Sequence, residues 1–144
     1  MITASCPFCY WDQSIEVYFE VLRSLEFKMA KCFDGMSFVN SYYLKFENNR
    51  PDLREYFLDT STLSFEGGSH SGKDDIMKTL MAIPGKVFEH EVVTLDTHDT
   101  VDNMVVIYVQ GKVTVDGKTQ KFSEVFLLKR NGDKVNILEL ILRL

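Results

Sequence analysis

No apolar run in this chain of 144 residues approaches the roughly 20 residues of a membrane-spanning helix, and no stretch joins a basic start, an apolar middle and a small-residue cleavage site. The expectation is an intracellular protein without membrane insertion. Basic charge is in deficit, since 16 Lys and Arg face 21 Asp and Glu for a formal charge of -5. That argues against nucleic-acid binding, which needs clustered cations, and favours a basic protein surface as partner. Catalytic signatures are missing too: there is no HExxH, no GxSxG, no phosphate-cradling glycine loop and no dinucleotide fingerprint. Nor is there an internal repeat, or a linker rich in Gly, Ser or Pro. The length therefore reads as one domain with a real core.

Chemistry-bearing residues are few. Cys6-Pro7-Phe8-Cys9 matches the bare CxxC pattern, and Cys32 is the third cysteine. A redox dithiol of that kind belongs after a strand at the start of a helix, and a zinc site needs a second ligand pair that the sequence does not supply. Reduced thiols near a terminus are expected, with no metal and no cofactor. His70, His90 and His98 are the only histidines. His98-Asp99 falls in a polar stretch read as a solvated loop. His90 lies mid-strand between Glu89 and Glu91, as a structural histidine bonded to a neighbour. Asp74-Asp75 suits the first turn of a helix, where the dipole favours negative charge.

Aromatic and β-branched residues are what the chain has in quantity, with Phe 11 and Tyr 6. Met104 to Leu144 reads as three strands joined by tight turns at Asp116-Gly117 and Asn131-Gly132. Met104, Val106 and Tyr108 point to one side of the first strand, and Val105, Ile107 and Val109 to the other. Both faces are apolar, so each needs cover.

Residues 1-28 read as an N-terminal extension. Ile15, Tyr18, Phe19, Leu22, Leu25 and Met29 have the spacing of an amphipathic helix, and Met29 offers an alternative translation start. Over 29-144 the signals sharpen. Phe38, Val39, Tyr42, Tyr43 and Phe46 form an aromatic helix stripe; Pro51 opens a second, short helix; Ser71 is the expected N-cap of a third, which Pro84 ends. A strand over Leu63–Phe65 precedes the third helix and a long one from Val87 to about Leu95 follows it. The pattern predicts an α+β domain with three helices on one side of an antiparallel sheet. Self-association through a two-fold axis is the simplest cover for the other side.

From Ser37 to Leu144 the chain resembles the nuclear transport factor 2 family. The resemblance rests on Phe38-Val39-Asn40-Ser41-Tyr42-Tyr43, Asn49-Arg50, Leu63-Ser64-Phe65-Glu66-Gly67, Gly72 with Ile76, and Leu80 to Pro84. It continues with His90, Gly111, Gln120 to Leu128 and Leu142-Arg143-Leu144. It implies a cone-shaped fold, three helices packed in a strongly curved antiparallel sheet, and a homodimer through the open sheet face.

The resemblance further implies a non-enzymatic carrier, located in cytoplasm, nucleus and nuclear pore. Such a carrier binds the GDP-bound small GTPase Ran and Phe-Gly nucleoporin repeats. Carried over by position, Phe65 is the mouth aromatic, with Glu66 and Asp116 as rim acids for Ran. Ile83, Phe88, Tyr108 and Leu142 line the cavity, and Phe33 stands in for the repeat-binding aromatic. The chain departs from the pattern at Gly117-Lys118, where a second acid is expected, and at Glu139-Leu140 in place of Asn-Asp. Two other classes share the cone. One is a dimerisation or scaffold module of the RNA-export or stress-granule kind; the other is an isomerase or dehydratase of small apolar substrates, which would aim an ionisable group of perturbed pKa into the cavity.

Overall fold

The computed structural model describes residues 32-144. The Cys6/Cys9 motif, the amphipathic spacing before Met29 and Met29 itself lie outside the described residues.

Helix α1 (Gly35–Asn48) begins where the Asp34 side chain accepts a 3.0 Å hydrogen bond from the Ser37 amide, an N-cap that satisfies a donor the helix cannot. Its aromatic stripe is buried throughout, from Phe38 to Phe46. A 3₁₀ helix (Arg50–Tyr56) follows with Pro51 in its first turn, where the missing N–H costs nothing. Strand β1 (Phe57–Phe65) then starts earlier than the Leu63 boundary read from the sequence. Glu66 and Gly67 both take positive φ and turn β1 into β2 (Gly68–Ser71), a strand the sequence reading did not separate. Ser71 consequently ends a strand instead of capping a helix. The cap is Gly72, whose φ of 87 suits a residue without a Cβ, and α2 (Lys73–Ala82) carries Asp74 and Asp75 in its first turn.

The remaining strands are β3 (Phe88–Asp99), β4 (Met104–Val115), β5 (Lys118–Asn131) and β6 (Lys134–Arg143). His98, expected in a loop, sits in β3 opposite Val106. Asp116 and Gly117 form the β4–β5 turn, both at positive φ. The last hairpin turns at Gly132-Asp133, one residue beyond the Asn131-Gly132 reading, because Asn131 still pairs with Lys134.

The six strands run in the order β2-β1-β6-β5-β4-β3. Every neighbouring pair is antiparallel except β1 with β6, which is parallel. Interruptions in register bend the sheet around the helices. One lies between Val92 and Thr94 opposite Gly111, where a Cβ on Gly111 would stand 2.1 Å from the Glu91 carbonyl oxygen, so only glycine lets the strands close there. Another falls between Phe57 and Thr62, where the buried Ser61 hydroxyl donates to the Ile137 carbonyl and accepts from the Leu58 amide. The result is an α+β cone: α1 lies inside the curve, its Phe38 and Tyr42 rings edge-on to Phe126 of β5.

The outer sheet face carries Met104, Val106 and Tyr108 on β4, with Val125 of β5 and Ile141 of β6. Tyr108, Val125 and Ile141 are register neighbours, an apolar row across three strands.

Candidate functional site

A cavity of about 390 Å³ opens at one end of the cone. α1 supplies Tyr42, Tyr43 and Phe46 to its wall, the segment after α2 supplies Ile83 and Pro84, and the strands supply Phe88, His90, Val113, Val115 and Leu142. Burial gives the cavity a direction. Tyr42, Tyr43, Phe46 and Glu124 are buried and mark its inner end, whereas Pro84, Asp116, Lys118 and Leu144 are exposed and mark its mouth.

Arg50 holds the wall in shape. Its Nη1 donates to the carbonyls of Leu80 (3.0 Å) and Ile83 (3.3 Å), at the end of α2 where helix carbonyls lack partners. Its guanidinium lies over the Phe46 and Phe88 rings at 4.3 and 4.5 Å. Burial depresses its pKa, and the group stays cationic. The arginine thus joins the end of α1 to the end of α2 with Phe46 and Phe88 against its guanidinium.

Besides Tyr42 and Tyr43, two ionisable groups reach the interior among the described residues. His90 is bonded not to its sequence neighbours Glu89 and Glu91 but to Glu47 of α1, whose Oε1 accepts from the His90 amide (2.7 Å) and lies 3.0 Å from Nδ1. Burial lowers the imidazole pKa, with Glu47 pulling the other way, so the neutral ring donates from Nδ1. The ring stacks on Tyr43 at 4.3 Å. Glu124 is 3% exposed and receives a 2.8 Å hydrogen bond from the Tyr43 hydroxyl on Oε2. Burial pushes its pKa up to about 8 against the smaller opposing effect of that bond, which leaves the carboxyl protonated at neutral pH. Both groups are held by protein partners.

The sequence did not single out Glu124 because a charged residue reads as solvated. Its signal was strand parity: Phe122, Glu124, Phe126 and Leu128 share the inward face of β5.

The residues taken from the resemblance are distributed as follows. Ile83, Phe88 and Leu142 line the cavity. Tyr108 does not: it is 37% exposed on the outer face, with its hydroxyl bonded to Gln110, because Val105, Ile107, Val109 and Val113 of the same strand take the inward positions. Phe65 is half-buried on the inner face of β1, in register with Leu142, and is not part of the cavity wall.

Glu66 is exposed at the following turn, where its carboxylate accepts a hydrogen bond from the Leu144 amide of the mouth. Asp116 is at the mouth too, but its carboxylate accepts from the Lys86 and Val87 amides (2.9 and 2.8 Å), which lowers its pKa and ties the β4–β5 turn to the segment before β3. Lys118 beside it adds a positive charge to the rim. Phe33 packs on Phe38, with Arg130 over its ring, beyond the N-terminus of α1. The length of α1 puts it roughly 20 Å from Phe46, on a different surface from the mouth.

Among the described residues no group of three His, Cys, Asp or Glu is placed to hold a metal, and no helix is long and apolar enough to cross a membrane.

A curved, mainly antiparallel sheet around helices, open at one end onto an aromatic-walled cavity, defines the cone class of α+β proteins. The nuclear transport factor 2 (NTF2) domain matches residues 35–144, and the chain belongs to that family. Nuclear transport factor 2 of Eremothecium gossypii is 31% identical over 113 residues, covering 76% of this chain and 90% of the relative. That of Schizosaccharomyces pombe is 31% identical over 110 residues, covering 74% and 89%. The structure of nuclear transport factor 2 from Cryptosporidium parvum superposes with a TM-score of 0.72 at 28% identity, covering 76% of this chain and 90% of that one. These relatives are named as transport factors, and the chain is a non-enzymatic member of a fold that elsewhere houses enzymes.

Proposed function

We propose that this protein is a nucleocytoplasmic carrier that binds Ran-GDP at the mouth of the cone, associates with Phe-Gly nucleoporins on a separate surface near Phe33, and works as a homodimer. The observation that carries the reading is the cavity itself: an apolar, ring-lined hollow with carboxylates at its edge, in a chain of the transport factor family. A partner's aromatic side chain seated in such a hollow supplies affinity, while rim charges set orientation and encounter rate.

Glu66 is the better acid for this role. Both acids sit at a φ of 48 on exposed turns by the mouth, but Glu66 accepts from one backbone amide, that of Leu144, whereas Asp116 already spends its carboxylate on two. With Lys118 rather than an acid beyond Asp116, the rim relies on Glu66 more heavily than a rim of three acids would. The outer row of Tyr108, Val125 and Ile141 supports self-association, since an apolar sheet face is covered by a second copy across a two-fold axis. A carrier of this kind is found in cytoplasm, nucleus and at the nuclear pore. Calorimetry against the GDP- and GTP-bound forms of Ran tests the reading, and binding indifferent to Glu66→Lys counts against it.

A further inference from the structure

The transport reading uses the mouth and the apolar wall of the cone but gives no task to the carboxyl at its inner end. We propose that the cavity also binds a small, uncharged, apolar molecule whose single polar group is a hydrogen-bond acceptor, such as a ketone, seated against Glu124. The inference stands on the cavity geometry and does not rest on Ran binding.

Tyr43 and Glu124, both buried, meet in one hydrogen bond of 2.8 Å. No lysine or arginine pairs with Glu124 among the described residues, so the carboxyl has no counter-ion to hold a negative charge out of water. A protonated carboxyl and a phenol together own two O–H donors, and their mutual bond uses one. Glu124 makes no second hydrogen bond among the described residues, yet it lines a cavity of about 390 Å³, a size that suits small-molecule ligands. One donor is therefore available at Glu124, and the Tyr42 hydroxyl, buried without a hydrogen-bond partner among the described residues, is a second polar atom on the same inner wall.

That arrangement selects against other ligand classes. A hydrocarbon leaves the donor unmatched. An anion finds no free cation at the inner end, since Arg50 is committed to the Leu80 and Ile83 carbonyls. A cation meets a neutral acid, because the carboxyl holds its proton up to about 8. The other titratable or charged groups around it are Tyr42 and Tyr43 of α1, His90 of β3 with its partner Glu47, Arg50, and Asp116 and Lys118 at the mouth. A molecule of this class would share the hollow with any partner side chain entering from the mouth, so its binding would compete with docking there.

Calorimetry of the full chain with indanone, indane and aminoindane reads the polar head alone, because the three share one bicyclic frame. At about pH 6, indanone is expected to bind about tenfold tighter than either of the others. E124Q keeps an N–H donor and retains the preference, whereas the double variant Y43F/E124M, which removes both hydroxyl donors of the pair, loses most of it. At about pH 9 the wild-type carboxylate has lost its proton and the preference with it, while E124Q is unaffected. Equal affinity for ketone and hydrocarbon at the lower pH, no binding by any of the three, or a preference undiminished in Y43F/E124M overturns the proposal. Should Y43F/E124M fail to fold, the comparison of wild type with E124Q across pH decides alone: a wild-type preference unchanged at the higher pH overturns it.

Discussion

The Tyr43 hydroxyl donates to the Glu124 carboxyl across 81 positions of sequence and joins α1 to β5 at the inner end of the cavity. A protonated acid in that position makes the stability of the cone depend on pH. The folded chain holds this proton up to about 8, whereas the ordinary carboxylate value is 4.5. Between those values the folded state binds more protons than the unfolded one. The contribution of Glu124 is thus fully present below about 4.5 and is lost as pH rises through about 8, on the order of a few kcal/mol. Urea denaturation should show E124Q with a flatter pH profile than wild type across this window and a stability advantage at its alkaline end.

Removing the other partner gives a separate expectation. Tyr43→Phe keeps the ring packing on His90 and Phe122 but strips Glu124 of its hydrogen bond. The expected cost is about 1–3 kcal/mol. Because that bond favours the charged carboxyl, its loss moves the Glu124 pKa further up, which a carbon-13 titration of the side-chain carboxyl reads directly.

Gly111→Ala tests the bend in the sheet. The added Cβ would meet the Glu91 carbonyl oxygen at 2.1 Å, backbone that cannot move without opening the β3–β4 register. A loss of about 1–3 kcal/mol is expected in denaturant unfolding.

Ile141→Lys tests the outer face. Ile141 is 46% exposed and adjoins Val125 and Tyr108 in the apolar row. A charge there would have to be buried in any two-fold pairing of sheets, so sedimentation equilibrium should show wild type as a dimer and the variant shifted toward monomer, with an unchanged circular dichroism spectrum.

Much of this was legible in the sequence. The α1 stripe of Phe38, Val39, Tyr42, Tyr43 and Phe46 is a period of 3.6 written in large side chains, and every member is buried. Asp116-Gly117 turns where the dipeptide says it should, since its two positive φ angles are chemistry local to two residues. What was not legible depends on tertiary partners. Ser71 looked like a helix cap because nothing local shows that residues 68–71 pair with β1, and the pairing moved the cap to Gly72.

Tyr108 was placed in the cavity by family position, although strand parity set it opposite Val105, Ile107 and Val109; the structure follows the parity. The partners of His90 and Asp116 are 43 and 30 residues away, beyond any local pattern. Glu124 was overlooked because its acidity argued for water, while its place between Phe122 and Phe126 argued for the core.

In the proposed complex the mouth of the cone receives Ran in its GDP form with Glu66 as the principal rim acid. Calorimetric titration of the full chain with Ran-GDP and with GTP-loaded Ran, repeated with Glu66→Lys, tests it most directly. Saturable binding to the GDP form, at least about tenfold weaker binding to the GTP form, and a comparable loss in the variant are expected. Equal binding of the two nucleotide forms, no binding to either, or a Glu66→Lys variant that binds as tightly as wild type would contradict it.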